Sequence, residues 1–445
     1  MISDLDLEKI KTVHFIGIGG IGISAIARMM LLQGKKVSGS DAAESPITKS
    51  LVDFGATIVI GQSAENINPE VAPEEYLVVY TVAIGEANPE LAEVRRRGLR
   101  AFTYPQMLGI ISREKFTIAV AGSHGKTTTT AMIANIMIDA GLDPTVIVGS
   151  LMKSSGTNLV VGKSKYLVVE ACEYKRSFLN LSPKIAVITN IDDDHLDYYK
   201  DIAGVQKGFQ EFVDLLPSSI GKLVCNQHGA NMFPAISFAG STVDYSEISD
   251  GEIPKLKIPG RHNIENAKAA LAVARLLGIA DDQSLKSLAD FSGTWRRFEF
   301  LGTTKNGALI YDDYAHHPTE IRATLGTVRE FFPGKKIILV FQPHLFSRTK
   351  EHLEEFADCF KNVDELIIAP IYAAREPNDP SVSAEILAEK IRGGASAGVE
   401  FAGDVKTFAD SKAIESYLRD SIGPSDVLIT MGAGDINSVA IAMLQ

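Results

Sequence analysis

The sequence predicts an α/β protein of mostly parallel sheets, arranged as three successive domains. Three observations carry this. Short apolar runs rich in β-branched residues alternate with longer runs of helical periodicity along most of the chain, the order expected of βαβ units. Two glycine-rich loops, "GIGGIG" at 17–22 and "GSHGKT" at 122–127, each follow an apolar run and precede an amphipathic one. The alternation restarts near residues 108 and 292, so the expected domains are 1–108, 109–292 and 293–445.

In chain order, "TVHFIGIGG" reads as a strand entering a glycine loop. "ISAIARMMLLQG" reads as a helix closed by Gly34, a residue that accepts the left-handed C-cap. "KVSGSD", "YLVVYTVAI" and "RAFTY" continue the strand series. "FTIAVAGSHGKTTTTAMIANIMIDAG" restarts it as buried strand, loop and long helix, followed by the core strands "KYLVVEA" and "PKIAVITNI". From Ile220 to Lys257 only short strand signals occur, and "HNIENAKAALAVARLLGI" is an amphipathic helix. The third series runs through "LIYDDYA", "KKIILVFQPH", "ELIIAPIY" and "DVLITMGAG".

Composition bounds the partners. With 445 residues, 22% charged and 45% hydrophobic, the chain has the make-up of an ordinary globular protein. A formal charge of −11 argues against a general nucleic-acid or membrane-surface binder, because both partners are anionic. Cys172, Cys225 and Cys359 are far apart and form no CxxC pair, so neither a disulfide scaffold nor a zinc site is expected. The N-terminus lacks a signal-peptide pattern, and no apolar run approaches the ~20 residues of a membrane helix. The expected location is cytoplasmic, without membrane insertion or a nucleic-acid partner.

The first loop has G-x-G-x-x-G spacing at Gly17, Gly19 and Gly22, and Asp41 ends the next strand. Such a loop lets a pyrophosphate approach the backbone at a helix N-terminus, and the acid commonly reads ribose hydroxyls. The motif alone does not separate NAD from another diphosphate ligand. The second loop departs from the full P-loop consensus at Val120 but keeps its chemistry. Its amides form an anion nest, Lys126 reaches phosphates, and the Thr127 hydroxyl can ligate Mg2+. Glu170 and His195 follow core strands, where open sheets place ligands, and are expected to share that metal with Thr127. "DDYAHHPTE" and "FQPHLFSRT" end strands of the third series in the same way.

Taken together, "HFIGIGGIGISAIA", "GSHGKTTTTAMIA", "GRHNIENAKAALAVA", "FSGTWRRFEFLG", "DDYAHHPTEIRATL" and "VFQPHLFSRT" resemble the Mur ligase family of peptidoglycan synthesis, over nearly the whole chain. The resemblance implies a Rossmann-like UDP-binding domain, a central P-loop ATPase domain and a C-terminal Rossmann-like domain. It implies an ATP-dependent ligase that forms an amide through an acyl phosphate. UDP-N-acetylmuramate and L-alanine are the expected substrates and Mg2+ the metal. A tripeptide in place of alanine, or a catalytically altered regulator on the same scaffold, stays open, as does monomer or homodimer.

By position, the resemblance gives Gly17, Gly19, Gly20, Gly22 and Asp41 to the sugar nucleotide. It gives Gly122, Ser123, His124, Gly125, Lys126, Thr127 and Thr128 to the triphosphate. His262, Asn266, Arg297 and Asp312 are implied on the nucleotide, with His316, His317 and Arg348 orienting substrates. The sequence departs from the family pattern in four places: Cys172 and Lys175 in "EACEYKRSFL", Trp295, Leu345, and a short segment between Asp214 and Gly260.

Overall fold

The structure is a computed structural model describing residues 5–444, apart from 154–155, 230–234, 375, 394–400 and 402. Three sheets organise the described residues. The first holds β1 (Thr12–Ile16), β2 (Lys36–Asp41), β3 (Thr57–Ile60), β4 (Tyr76–Tyr80) and β5 (Arg100–Thr103) in the order β3-β2-β1-β4-β5, all parallel. The second holds β6 (Phe116–Ala121), β7 (Thr145–Met152), β8 (Thr157–Val160), β9 (Tyr166–Glu170), β10 (Ile185–Ile188), β11 (Lys222–Cys225) and β12 (Ser241–Asp244). Its order is β12-β11-β10-β6-β9-β7-β8, with only β7 and β8 antiparallel. The third holds β13 (Glu299–Thr303), β14 (Leu309–Asp313), β15 (Ile337–Phe341), β16 (Glu365–Ile368), β17 (Asp404–Thr407) and β18 (Val427–Met431), ordered β13-β14-β18-β15-β16-β17. There β13 alone is antiparallel to its neighbour.

Contacts divide the chain into two units, residues 1–254 with 265–290, and residues 255–264 with 291–445. In the first unit the two sheets share one hydrophobic cluster. Phe15, Ile26 and Met30 lie in it alongside Ala119, Val169, Phe178 and Phe209. The break that the sequence marks near 108 falls inside the helix Tyr104–Arg113. Met107, Leu108, Ile110 and Ile111 of that helix belong to the same cluster, so apolar burial runs straight through the expected joint.

In the second unit, the sheet is covered on both faces. Ile337, Leu339 and Phe341 of β15 point to one cluster, Ile338 and Val340 to the other. A strand buried on both faces reads as the unbroken apolar run seen in the sequence. No helix among the described residues is long and apolar enough to cross a membrane.

Candidate active site

β6 lies between β10 and β9, so the loop that leaves it emerges between their C-terminal ends. Gly122 (φ +141°) and Gly125 (φ +81°) take backbone angles that side chains resist. A Cβ would also overlap the Thr189 hydroxyl at Gly122 and the Asn266 side chain at Gly125. The loop is clamped from β10. Asn190 Oδ1 accepts from the His124 amide at 2.8 Å, and His124 Nε2 meets Asp192 Oδ2 at 2.9 Å. Ser123 Oγ accepts from the Asp192 amide at 2.8 Å. Asn266 braces the loop from below and accepts from Thr129 Oγ1 at 3.1 Å. The helix Lys126–Asp139 then starts without a side-chain cap or an acid in its first turn. Its leading amides, those of Lys126, Thr127 and Thr128 among them, have no acceptor within the helix, an arrangement that suits an anion.

Two groups of side chains stand at this loop. Thr127 Oγ1 donates to the Glu170 carboxylate at 2.9 and 3.0 Å, and the Gly149 amide donates to Glu170 Oε2 at 2.7 Å. Beside them, Lys126 Nζ donates to Gly122 O (2.5 Å), Ser123 O (2.9 Å) and Glu173 Oε1 (2.8 Å). Burial alone would lower the Lys126 amine, but the charge of Glu173, reinforced by Cys172 and Glu170, holds it above its ordinary value. The lysine is therefore a cation at neutral pH.

His195 Nε2 lies 3.7 Å from both Glu173 Oε1 and Asp194 Oδ2. Ligand atoms of Glu173, Asp194 and His195 all lie within 4.8 Å of one another. Glu173 Oε2 is buried and meets no hydrogen-bond partner among the described residues. The expected trio of Thr127, Glu170 and His195 thus falls into two groups, Thr127 with Glu170, and His195 with Glu173 and Asp194. Oxygen-rich sets of this kind, with one imidazole, suit a hard divalent ion. Glu173, which the sequence reading did not single out, stands with His195, Asp194 and Lys126.

The first glycine loop, which leaves β1, is drawn tight by the end of the neighbouring strand β2. Gly17 and Ile18 amides donate to Ser40 O, and the Gly19 amide donates to Asp41 Oδ2 at 2.7 Å. Asp41, expected at a ribose, here braces the loop, its other oxygen accepting from the Ala42 amide at 2.8 Å. Gly20 precedes the helix Ile21–Leu32 without a capping side chain, so that helix too presents uncapped amides. Gly22 is small because the Tyr104 ring lies against it.

In the second unit, Asp312 is buried in a clamp. Its Oδ2 accepts from Arg296 Nε at 2.7 Å and its Oδ1 from Thr430 Oγ1 at 2.6 Å. Arg296 also donates to Gly432 O and Gly434 O, tying "GAG" to "WRR". Of the paired arginines the buried anchor is therefore Arg296, while Arg297 stays part-exposed, 3.9 Å from Glu320. Asp313 is pushed up to about 6 by burial, against the pull of Arg297 and the Ala315 and Phe298 amides. His262 reaches solvent at the start of the helix Arg261–Leu276, with Asn266 one turn on. Surrounding protein and then Arg297 push its imidazole down to about 4, so it is neutral at pH 7. His316 Nδ1 meets Tyr314 O at 2.9 Å. His317 is buried and caps the helix Pro318–Phe331. Arg348 Nη1 stands 3.3 Å from His344 Nδ1. Leu345, between them in sequence, is buried with φ +70°.

Three family descriptions match consecutive parts of the chain: the Mur ligase family catalytic domain at 12–116, the Mur ligase middle domain at 120–247, and the Mur ligase glutamate ligase domain at 296–434. The UDP-N-acetylmuramate--L-alanine ligase of Clostridium kluyveri is 42% identical, over 98% of both chains. That of Clostridium tetani is 40% identical over 97% of both. Among solved structures, UDP-N-acetylmuramate-alanine ligase MurC of Thermotoga maritima superposes with a TM-score of 0.79 at 27% identity, covering 97% of this chain and 98% of that one. A murein peptide ligase of Psychrobacter arcticus shares the fold, with a TM-score of 0.71 at 24% identity and the same coverage. Fold, phosphate loops and full-length identity agree, and the chain belongs to the Mur ligase family.

Proposed function

We propose that the protein is an ATP-dependent ligase that adds L-alanine to UDP-N-acetylmuramate in peptidoglycan precursor synthesis. One observation carries the reading: two phosphate-holding loops lie in one compact unit, and the second has a lysine and carboxylates at its mouth. A dehydrogenase has no use for the second loop and a simple ATPase none for the first. A ligase that grips a sugar nucleotide and ATP uses both. The muramoyl carboxylate attacks the γ-phosphorus, ADP leaves, and the amine of alanine then attacks the acyl phosphate and expels phosphate.

Roles follow from position. The amides from Gly125 to Thr128, with Gly122, Ser123 and His124 shaping the loop, hold the phosphates. Lys126 exchanges Glu173 for the transferring phosphoryl group. Thr127 with Glu170, and His195 with Glu173 and Asp194, would hold Mg2+, which neutralises phosphate charge when bound. His262, Asn266 and Arg297 serve the base of ATP, and Asp312 frames that region through Arg296. Gly17, Gly19, Gly20, Gly22 and Asp41 shape the diphosphate site, and His316, His317 and Arg348 orient substrate carboxylates. Domain limits of 1–108, 109–292 and 293–445, a cytoplasmic location, and a monomer or homodimer complete the proposal.

Phosphate release measured with UDP-N-acetylmuramate and a panel of amines tests it. Alanine should be fastest. Glycine and serine should be slow rather than excluded, since one small group is worth only ~1–3 kcal/mol in a pocket. Faster turnover with L-Ala-γ-D-Glu-diaminopimelate would move the protein to the peptide-adding branch. The metal assignment predicts that His195→Ala raises the Mg2+ concentration for half-maximal activity about tenfold or more. An unchanged metal titration would count against it.

A further inference from the structure

Tyr104 begins the helix Tyr104–Arg113 that joins β5 to β6, inside the unit that carries both phosphate loops. A Cβ on Gly22 would stand 2.7 Å from Tyr104 Cζ and 2.9 Å from its hydroxyl oxygen. Gly22 is the second residue of the helix that follows the first glycine loop. The phenol therefore sits over a helix end whose amides await an anion.

Glu170, which ends the strand beside β6, and Cys172 just after it are near enough to act on the phenol. Burial first, then the nearby Cys172 and Glu170, hold the phenol well above its usual range, so it remains a proton donor. The buried tyrosines of this unit have engaged hydroxyls. Tyr199 donates to Glu173 O at 2.6 Å, Tyr245 donates to Thr189 O at 2.6 Å, and Tyr76 accepts from the Asn68 amide at 3.3 Å. Tyr104 is part-buried at the edge of the shared cluster and has no such partner among the described residues, which leaves its hydroxyl for a ligand.

We propose that Tyr104 is a positioning residue whose hydroxyl donates to the diphosphate of the sugar-nucleotide substrate. The proposal rests on the ligase reading. It adds a contact from the linking helix, which holds the substrate where its far end points to the second loop.

Tyr104→Phe tests this in the full chain, because it keeps the ring on Gly22 and removes only the hydroxyl. Calorimetry should show UDP and UDP-N-acetylmuramate both binding about tenfold more weakly, as for one lost charge-assisted hydrogen bond. The KM for ATP and the melting temperature should be unchanged. Equal affinities in variant and parent would overturn the assignment alone, leaving the ligase reading intact. Weakening confined to UDP-N-acetylmuramate would put the bond on the sugar and also overturn it. A lower melting temperature with weaker UDP and ATP binding together would mark a purely structural role. A parent protein that binds no uridine diphosphate would remove the ligase reading and this proposal together.

Discussion

Replacing Lys126 with alanine is expected to slow amide formation by at least about 100-fold, the scale of losing a preorganised charge from a transition state. The lysine is tied to Glu173 and two loop carbonyls, at the helix end proposed to hold phosphate. Its raised pKa keeps it charged through the working range, so the loss should be the same at pH 6 and pH 8. The pair is largely withdrawn from water, with Lys126 15% and Glu173 2% exposed. Removing the cation alone therefore strands a buried carboxylate and costs stability as well. Lys126→Ala combined with Glu173→Gln relieves that cost and should stay inactive. Single-turnover phosphate release, with a melt of each variant, checks both points; near-parental turnover in a folded Lys126→Ala protein would refute the assignment.

Asp312→Ala should be the most destabilising single change in the second unit, by about 3–5 kcal/mol. The Arg296 guanidinium is 5% exposed and its partner carboxylate 1%. Without Asp312 a buried charge keeps the carbonyls of Gly432 and Gly434 and the rings of Trp295 and Tyr314, but no ion-pair partner among the described residues. Asp312→Asn retains an acceptor and should lose roughly 1–3 kcal/mol. Denaturant midpoints for the two variants measure the difference; equal, small losses would mean that the clamp is open to solvent.

Legibility from sequence followed burial. β1, β6, β15 and β18 are apolar runs with nearly every residue buried, and each is evident by inspection. β3 and β17 were not, because both are edge strands with half or more of their residues outside the core, and β17 carries two charges. β7 pairs antiparallel with β8 on both sides of Gly149 and Ser150, at Val146, Ile147 and Met152, and no apolar pattern marks the irregular stretch between.

At the candidate site, Lys126, Thr127 and Glu170 were expected because motif and strand end coincide, and Thr127 does meet Glu170. Glu173 was not. It precedes a short segment in which Lys175 and Arg176 take left-handed angles, so its distance from Glu170 along the chain carries no helix or strand phase. Arg296 and Arg297 are adjacent and chemically identical, and only packing separates the buried anchor from the open one. Asp41 sits where a ribose-reading acid would, yet its first partner is a loop amide, a local bond that spacing cannot reveal.

The hydrophobic cluster that continues from the first sheet through Tyr104–Arg113 into the second has a further effect. It fixes the span between the two glycine loops before any ligand arrives, as the frame of a caliper fixes its jaws. A sugar nucleotide anchored by its diphosphate can then deliver its carboxylate to the triphosphate only if its own arm has the matching length. Selection by length costs no rearrangement of the protein, and the reacting ends meet with their translational freedom already removed.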